Sequence, residues 1–127
     1  EPGDHGTTYG GNPLVCAAVE ISIKLMEELE LPSHVRTSAP YLEGRLQELC
    51  DRHPDIAKGH RGMGFMQGLI IDPKVKPVEI MRACLDRGLV VLTAGSDVVR
   101  MLPPLVAESA DMYEMYQIMD DVLAGLS

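Results

Sequence analysis

Apolar residues recur at helical spacing near the start of the chain, directly after a glycine-rich loop. Asn12 is a favourable helix N-cap, and Pro13 fits the first helical position, where a missing N–H costs nothing. The pattern predicts a helix that runs to about Leu31 and is stopped by Pro32. Its first half, LVCAAVEISI, is apolar on nearly every side, whereas KLMEELE is amphipathic. We therefore expect the first half to be buried all round and the second half to emerge into water.

A second helical pattern carries its leucines on one face. In SHVRTSAPYLEGRLQELCDRHP, Leu42, Leu46 and Leu49 have helical spacing, with charged residues between them. Pro54 ends this helix, and Pro40 either kinks it or marks where it begins.

The hydrophobic period changes in the middle of the chain. FMQGLIID is short, apolar and bounded by RGMG and by an Asp-Pro pair, which predicts a strand near Gly64 to Ile71. Two further strands are predicted in LVVLTAG and DVVRMLPPL, separated by a Gly-Ser-Asp turn. The double proline at positions 103 and 104 forbids further pairing in a central strand.

Two more helices accompany these strands. PVEIMRACLDRG places Val78, Met81 and Leu85 on one face, with Gly88 as the C-cap, and Ser109 caps a last helix. The apolar stripe of that last helix comprises Met112, Met115, Tyr116, Met119, Val122 and Leu123. The order helix, helix, strand, helix, strand, strand, helix predicts an α+β fold, with a small, mostly antiparallel sheet covered by helices.

The pattern also predicts how the chain is organised. We expect a loop over residues 1–12, a connecting helix over residues 13–31 and a small C-terminal domain over residues 32–127. The chain begins with Glu1 rather than Met, and its glycine-rich loop lies where a free terminus would fray. We therefore expect it to be part of a longer protein.

Composition narrows the possible partners. The chain has 127 residues, 46% of them hydrophobic, which suits one compact domain with its own core. A net charge of -8 repels phosphate backbones and anionic lipids, and no apolar run approaches the roughly 20 residues of a membrane helix. We expect neither nucleic acid nor a membrane as a partner.

Cysteine and histidine residues lack the spacing of metal ligands. Cys16, Cys50 and Cys84 are scattered, which predicts small buried hydrophobic side chains in a reducing compartment and hence a cytoplasmic location. His5 lies in the opening loop, and we assign it no catalytic role. The other three histidines, His34, His53 and His60, are predicted to lie at the surface. No metal site is expected.

The loop HGTTYGGNPL has two interpretations. Its small residues let backbone N–H groups approach an anion, and the hydroxyls of Thr7 and Thr8 add donors that a phosphate oxygen accepts. The alternative is a tight turn in which a threonine caps its own backbone, and the pattern alone favours that alternative.

Two arginines are candidate anion ligands. Arg100 alternates with Val98 and Leu102, so its guanidinium lies among apolar neighbours, where a carboxylate would bind with little competition from water. The alternative for Arg100 is a surface ion pair with Glu108, which the pattern alone favours. Arg61 precedes a glycine-rich turn, and we predict that it fixes that turn rather than binding an anion.

Three stretches together resemble one enzyme family. PGDHGTTYGGNPLVCAA, RGMGFMQGLII and GLVVLTAGSDVVRMLPPL occur in the order in which class III (subgroup II) pyridoxal-phosphate aminotransferases carry similar segments, most closely the acetylornithine branch. The resemblance extends over the whole chain. It implies the C-terminal domain of a fold-type I pyridoxal-phosphate enzyme, preceded by a long connecting helix.

The resemblance also implies site residues. Thr8 would bind the cofactor phosphate that belongs to the other subunit of a homodimer, and Thr7 would contribute its backbone N–H; Arg100 would bind the α-carboxylate of the substrate. The lysine that forms the Schiff base, the aspartate that pairs with the pyridinium nitrogen and the aromatic residue that stacks on the ring all lie upstream in the family. The lysines present here, Lys24, Lys58, Lys74 and Lys76, lie in a helix or in polar turns. We therefore expect no catalytic residue in this chain and no activity from it alone.

The implied function is transfer of the δ-amino group of N-acetylornithine to 2-oxoglutarate in arginine biosynthesis, with the active site at the homodimer interface. The alternative amino donors within the family are ornithine, succinylornithine and 4-aminobutyrate. A non-enzymatic regulatory or interaction domain is the alternative from another class. It predicts a self-sufficient monomer, whereas a part of an enzyme predicts that the apolar first helix needs a partner.

Overall fold

A computed structural model describes residues 6–126, and this part of the chain contains four helices and four strands. In chain order they are α1 (Pro13–Glu28), α2 (Leu31–Arg52), β1 (Ala57–Met63), β2 (Met66–Ile71), α3 (Pro77–Leu85), β3 (Leu92–Ala94), β4 (Val98–Met101) and α4 (Ser109–Ala124). These elements confirm the predicted α+β class. The chain divides into two compact units, residues 1–33 and residues 34–127.

The first unit contains the glycine-rich loop and α1. The helix begins as predicted, because the Asn12 side chain accepts a hydrogen bond from the N–H of Val15 at 3.1 Å and Pro13 is the first helical residue. It ends at Glu28, earlier than predicted, and Glu30 then adopts a φ of +48° that breaks the helical path. Pro32 does not stop α1; it lies in the first turn of α2, where a helix tolerates proline.

Helix α1 buries none of its residues. Its large apolar side chains are exposed: Leu14, Val15, Val19, Ile21, Ile23, Leu25 and Met26. The expectation that its first half is buried all round is therefore not met within this chain. An apolar helix left in water is unfavourable in proportion to its exposed apolar area.

The second unit is built on an antiparallel sheet of strand order β1-β2-β4-β3. The sequence pattern missed β1, because AKGHRGM has little apolar alternation. It also began β2 too early: Gly64, with a φ of +57°, and Phe65 form the turn between β1 and β2. The β3–β4 hairpin is confirmed.

One face of the sheet carries the core. Leu69 and Ile71 of β2 and Val99 and Met101 of β4 are buried in one cluster with residues of all three helices of this unit. Helix α2 contributes its predicted leucine face, which comprises Leu42, Leu46 and Leu49, and α4 contributes all six residues of its predicted stripe. Because side chains alternate along a strand, Gly68, Val98 and Arg100 lie on the opposite face of the sheet.

Three details of the helices differ from prediction. Helix α2 runs through Pro40, which lies in its interior rather than at its start. Helix α3 buries Ile80 and Cys84, whereas Leu85, which the sequence places on one face with Val78 and Met81, is 57% exposed. The N-cap of α4 is Glu108, not Ser109, and the Glu108 N–H donates to the Asp111 carboxylate at 2.8 Å.

We expect the leucine face of α2 to dominate the stability of the second unit. Leu46 is fully buried, so Leu46→Ala leaves a cavity and should lower the free energy of unfolding by about 2–5 kcal/mol. Leu85→Ala removes the same atoms from an exposed site and should cost about 0.5 kcal/mol or less. Urea denaturation followed by circular dichroism measures both; equal losses would contradict this packing.

We expect Gly68 to resist substitution although it lies in a regular strand. A Cβ added there would meet Val98 Cγ1 at 2.7 Å, and Val98 is buried and β-branched. Gly68→Ala should therefore cost about 1–3 kcal/mol of unfolding free energy. Gly44 of α2 has open space around it, so Gly44→Ala should instead stabilise the protein by about 0.5–1 kcal/mol. Thermal denaturation of the two variants should move in opposite directions.

Candidate functional site

The glycine-rich loop is a tight turn held by Thr7. The Thr7 hydroxyl accepts a hydrogen bond from the N–H of Tyr9 at 3.3 Å, and its carbonyl accepts one from the N–H of Gly10 at 3.4 Å. Gly10 lies so close that a Cβ would meet Thr7 Cγ2 at 2.6 Å, and Gly11 has a φ of +75°. The alternative predicted for this loop, a threonine that caps its own backbone, therefore holds for Thr7.

Thr8 differs from its neighbour. Its side chain is exposed, and its hydroxyl has no hydrogen-bond partner within residues 6–126. Because the turn is closed by Thr7 and by Asn12, the Thr8 hydroxyl is left available as a donor. His5 lies outside the described residues.

A cavity of about 990 Å³ lies in the second unit. It is lined by the first half of α2, by the turn between β1 and β2, and by the face of β4 that points away from the core. Its walls are mostly apolar, and three arginines reach it: Arg36, Arg61 and Arg100. Apolar walls with a few charged groups are typical of sites for small ligands.

Arg100 is half-buried on the cavity face of β4. Val98 and Leu102 line the same cavity, as the alternation along this strand predicts. The Nε atom of Arg100 is buried and has no hydrogen-bond partner. Glu108 serves the N-terminus of α4, and the described residues contain no ion pair between it and Arg100. A buried donor without a partner indicates a place where a ligand can bind.

Arg61 lies in a strand rather than in the turn that follows it. It lies within β1, directly opposite Gly68 of β2, and Gly68 in turn lies opposite Arg100 of β4. None of the three cavity arginines has an ion pair among residues 6–126. The carboxylate on the lining is that of Glu43, which accepts a hydrogen bond from Gln67 at 3.3 Å. The cavity is thus cationic in a chain whose net charge is -8.

The lysines are all exposed. Lys24 pairs with Glu20 at 2.8 Å, and Lys58 pairs with Asp72 at 3.1 Å. A lysine that forms a Schiff base usually lies in a buried site, and none of these four is buried.

Two of the three histidines predicted to lie at the surface, His34 and His53, have partners inside the fold. His34 is half-buried, and its Nε2 lies 2.9 Å from the carbonyl oxygen of Ala107; His53 is also half-buried, and its Nε2 lies 2.7 Å from Asp120 Oδ1. Sequence pattern missed these contacts because each joins a histidine of α2, or the residue directly after α2, to a residue far along the chain. Residues 6–126 contain no group of three side chains placed to hold a metal ion.

The cysteines do not form a reactive centre. Burial raises the pKa of the Cys84 thiol to about 11, so it stays protonated near neutral pH. Cys50 is also buried, whereas Cys16 lies exposed on α1, contrary to the prediction that all three are buried. No helix among the described residues is long and apolar enough to cross a lipid bilayer.

Comparison with known proteins matches almost the whole chain. Residues 1–123 match the family described as Aminotransferase class-III. The chain is 36% identical over 126 residues to the acetylornithine aminotransferase of Gloeobacter violaceus, which covers 99% of this chain and 31% of that protein. It is 37% identical over 127 residues to the acetylornithine aminotransferase of Rhodobacter capsulatus, which covers 98% of this chain and 31% of that protein.

The chain also superposes on solved aminotransferase structures. The lysine aminotransferase of M. tuberculosis superposes with a TM-score of 0.88 at 26% identity, over 99% of this chain and 29% of that one. The chain spans about three-tenths of the length of the curated relatives it matches. The match over residues 1–123 shows that this chain belongs to the class III aminotransferases, a family of enzymes that depend on pyridoxal phosphate.

Proposed function

We propose that this chain is the C-terminal part of an enzyme that transfers the δ-amino group of N-acetylornithine to 2-oxoglutarate, a step of arginine biosynthesis. The observation that carries the proposal is the half-buried Arg100, whose Nε has no partner, at the wall of an apolar cavity. The choice of donor is supported by relatives named acetylornithine aminotransferase that match nearly the whole chain.

Arg100 binds the α-carboxylate of the substrate in this proposal. A guanidinium presents two parallel N–H donors to a carboxylate, and such charge-assisted pairs are about twice as strong as neutral hydrogen bonds. The buried Val98 on the same strand face leaves Arg100 half-buried, and a charged pair is stronger where water is partly excluded. A carboxylate fixed at this point directs the distal amine of the substrate toward the reacting centre.

Thr8 binds the phosphate of pyridoxal phosphate through its free hydroxyl, and Thr7 contributes its backbone N–H. The fit rests on an exposed, unpartnered hydroxyl in a glycine-rich turn that leads directly into the N-terminus of α1, where exposed N–H groups favour an anion. Pyridoxal phosphate, when bound, supplies an electron sink that allows an amino group to be exchanged. The phosphate belongs to the other subunit of a homodimer, and the exposed apolar surface of α1 supports such a partner.

The Schiff-base lysine is provided by the rest of the enzyme in this proposal. The four lysines here are exposed, and two of them are paired with carboxylates. Residues 1–127 alone are therefore inactive. We place the complete enzyme in the cytoplasm because the buried thiols Cys50 and Cys84 suit a reducing compartment.

Replacing Arg100 in the full-length protein should impair substrate binding. Arg100→Gln should lower kcat/KM for N-acetylornithine about 10- to 100-fold, because the charge-assisted contact to the carboxylate is lost. Arg82→Gln, on the exposed side of α3, is the matched control and should leave kcat/KM unchanged. Steady-state kinetics with N-acetylornithine, ornithine and 4-aminobutyrate measures the effect and identifies the donor. An unchanged kcat/KM in Arg100→Gln would remove Arg100 from the site.

Replacing Thr8 should weaken retention of the cofactor. Thr8→Val keeps the shape of the side chain and removes its hydroxyl, so the Kd for pyridoxal phosphate in the full-length protein should rise about 10-fold. Thr93→Val, on exposed β3, is the control for loss of a threonine hydroxyl elsewhere. Equilibrium dialysis followed by the absorbance of the retained cofactor gives both values. Equal affinities in the two variants would argue against a phosphate contact at Thr8.

A further inference from the structure

Gln67 is a buried amide near the start of β2. It is 2% exposed and projects from the core face of the sheet, because it alternates with the core residues Leu69 and Ile71. Its Nε2 donates to the carbonyl oxygen of Gly64 at 2.9 Å and to Glu43 Oε1 at 3.3 Å. A carbonyl oxygen and an ionised carboxylate only accept, so the amide nitrogen must face both of them. Gln67 therefore joins the turn between β1 and β2 to helix α2.

This amide carries a cost in stability. Gln67 Oε1 is buried and has no hydrogen-bond partner among residues 6–126. A buried acceptor without a partner destabilises a fold, and an apolar side chain of similar size would avoid that cost. Gly62 gives the amide its space, because a Cβ there would meet Gln67 Oε1 at 2.5 Å. A polar side chain that costs stability beside a hydrophobic core indicates a role other than packing.

The partner of Gln67, the Glu43 carboxylate, is an acidic group on the wall of a cationic cavity. Glu43 lines this cavity together with Arg61 and Arg100, yet no ion pair joins it to either of them among the described residues. The two arginines project from the face opposite the core, because both lie opposite Gly68 in the register. Gln67 projects from the core face, so its hydrogen bond draws the Glu43 carboxylate away from the arginines.

A released Glu43 would compete with a bound anion. Attraction between opposite charges is stronger beside apolar walls than in water, and arginine side chains are long and flexible. Arg36, two turns earlier on α2, also lines the cavity and adds a third possible partner. A guanidinium that pairs with Glu43 is no longer available to a carboxylate from solution.

We propose that Gln67 is a positioning residue that holds the Glu43 carboxylate toward the core face and thereby keeps the Arg100 guanidinium free for a carboxylate ligand. The inference rests on the proposed function, in which Arg100 binds the α-carboxylate of the substrate. Gln67 acts through Glu43 and does not touch the ligand. A neutral amide suits this task, because it donates to a carboxylate without placing a further charge beside the core.

Binding of butyrate to the full-length protein tests the proposal. Butyrate has one carboxylate and no amino group, so it binds without reacting. Gln67→Met keeps the approximate size of the side chain and removes the donor, so the Kd for butyrate should rise about 10-fold in isothermal titration calorimetry. An unchanged Kd in Gln67→Met would overturn the proposal.

Gln47 offers a matched control. Its Nε2 also donates to a carboxylate, that of Asp51 at 2.8 Å, but this pair lies on the exposed side of α2. Gln47→Met should therefore leave the Kd for butyrate unchanged. An equal rise in Kd in Gln47→Met and Gln67→Met would show that loss of any such bond on α2 has this effect, and would contradict the proposal.

Removing the charge of Glu43 should undo the effect of losing Gln67. In the Gln67→Met background, Glu43→Gln should lower the Kd for butyrate about 10-fold, whereas in the wild-type background it should change the Kd less than about threefold. A loss of affinity that persists in the double variant would mean that Gln67 serves packing, and would overturn the proposal. Gln67→Asn withdraws the amide by one methylene and should show the same loss and the same rescue, which keeps the test decisive if Gln67→Met does not fold.

The two proposals fail in different ways. If the full-length protein transfers no amino group from N-acetylornithine, but Gln67→Met weakens butyrate and Glu43→Gln restores it, the proposed function fails and the role of Gln67 stands. If the protein is an aminotransferase that needs Arg100, but Gln67→Met leaves the KM for N-acetylornithine and the Kd for butyrate unchanged, the proposed function stands and the role of Gln67 fails.

Discussion

Burial of one face of the sheet is the constraint on which the rest of the second unit depends. Side chains in a strand alternate between faces, so packing Leu69, Val99 and Met101 against the helices forces Gly68 and Arg100 to the opposite side. The cavity and its arginines are therefore fixed by the same register that fixes the core. A shift of one residue between β2 and β4 would bury the arginine and expose the core residues.

Arginines in this unit serve two different purposes. Arg52 pairs with Asp120 at 3.0 Å and donates to the Tyr116 hydroxyl at 2.9 Å, and these contacts join the C-terminal end of α2 to α4. The cavity arginines have no such carboxylate among the described residues. Of these, Arg100 has a buried Nε atom without a hydrogen-bond partner, which is the observation behind its proposed role in binding a carboxylate.

In the first unit, the loop is held by hydrogen bonds within itself, whereas α1 has no buried residue. Thr7 and Asn12 satisfy the backbone of the turn and the start of α1 through contacts within a few residues. Helix α1 itself buries nothing, and the curated relatives are about three times as long as this chain. Both observations agree with the proposal that α1 packs against other parts of a larger aminotransferase.

The sequence alone determined four features: the start of α1, the leucine face of α2, the apolar stripe of α4 and the β3–β4 hairpin. It could do so because helix caps, helical spacing and turns depend on residues close together in the chain. Sequence motifs likewise indicated the family and placed Arg100 between two apolar neighbours. Only the tertiary structure decided that β1 is a strand, which face of α3 is buried, and that Arg61 faces Arg100 across Gly68. Those features depend on pairing and packing between residues far apart in the chain, for which a local pattern carries no signal.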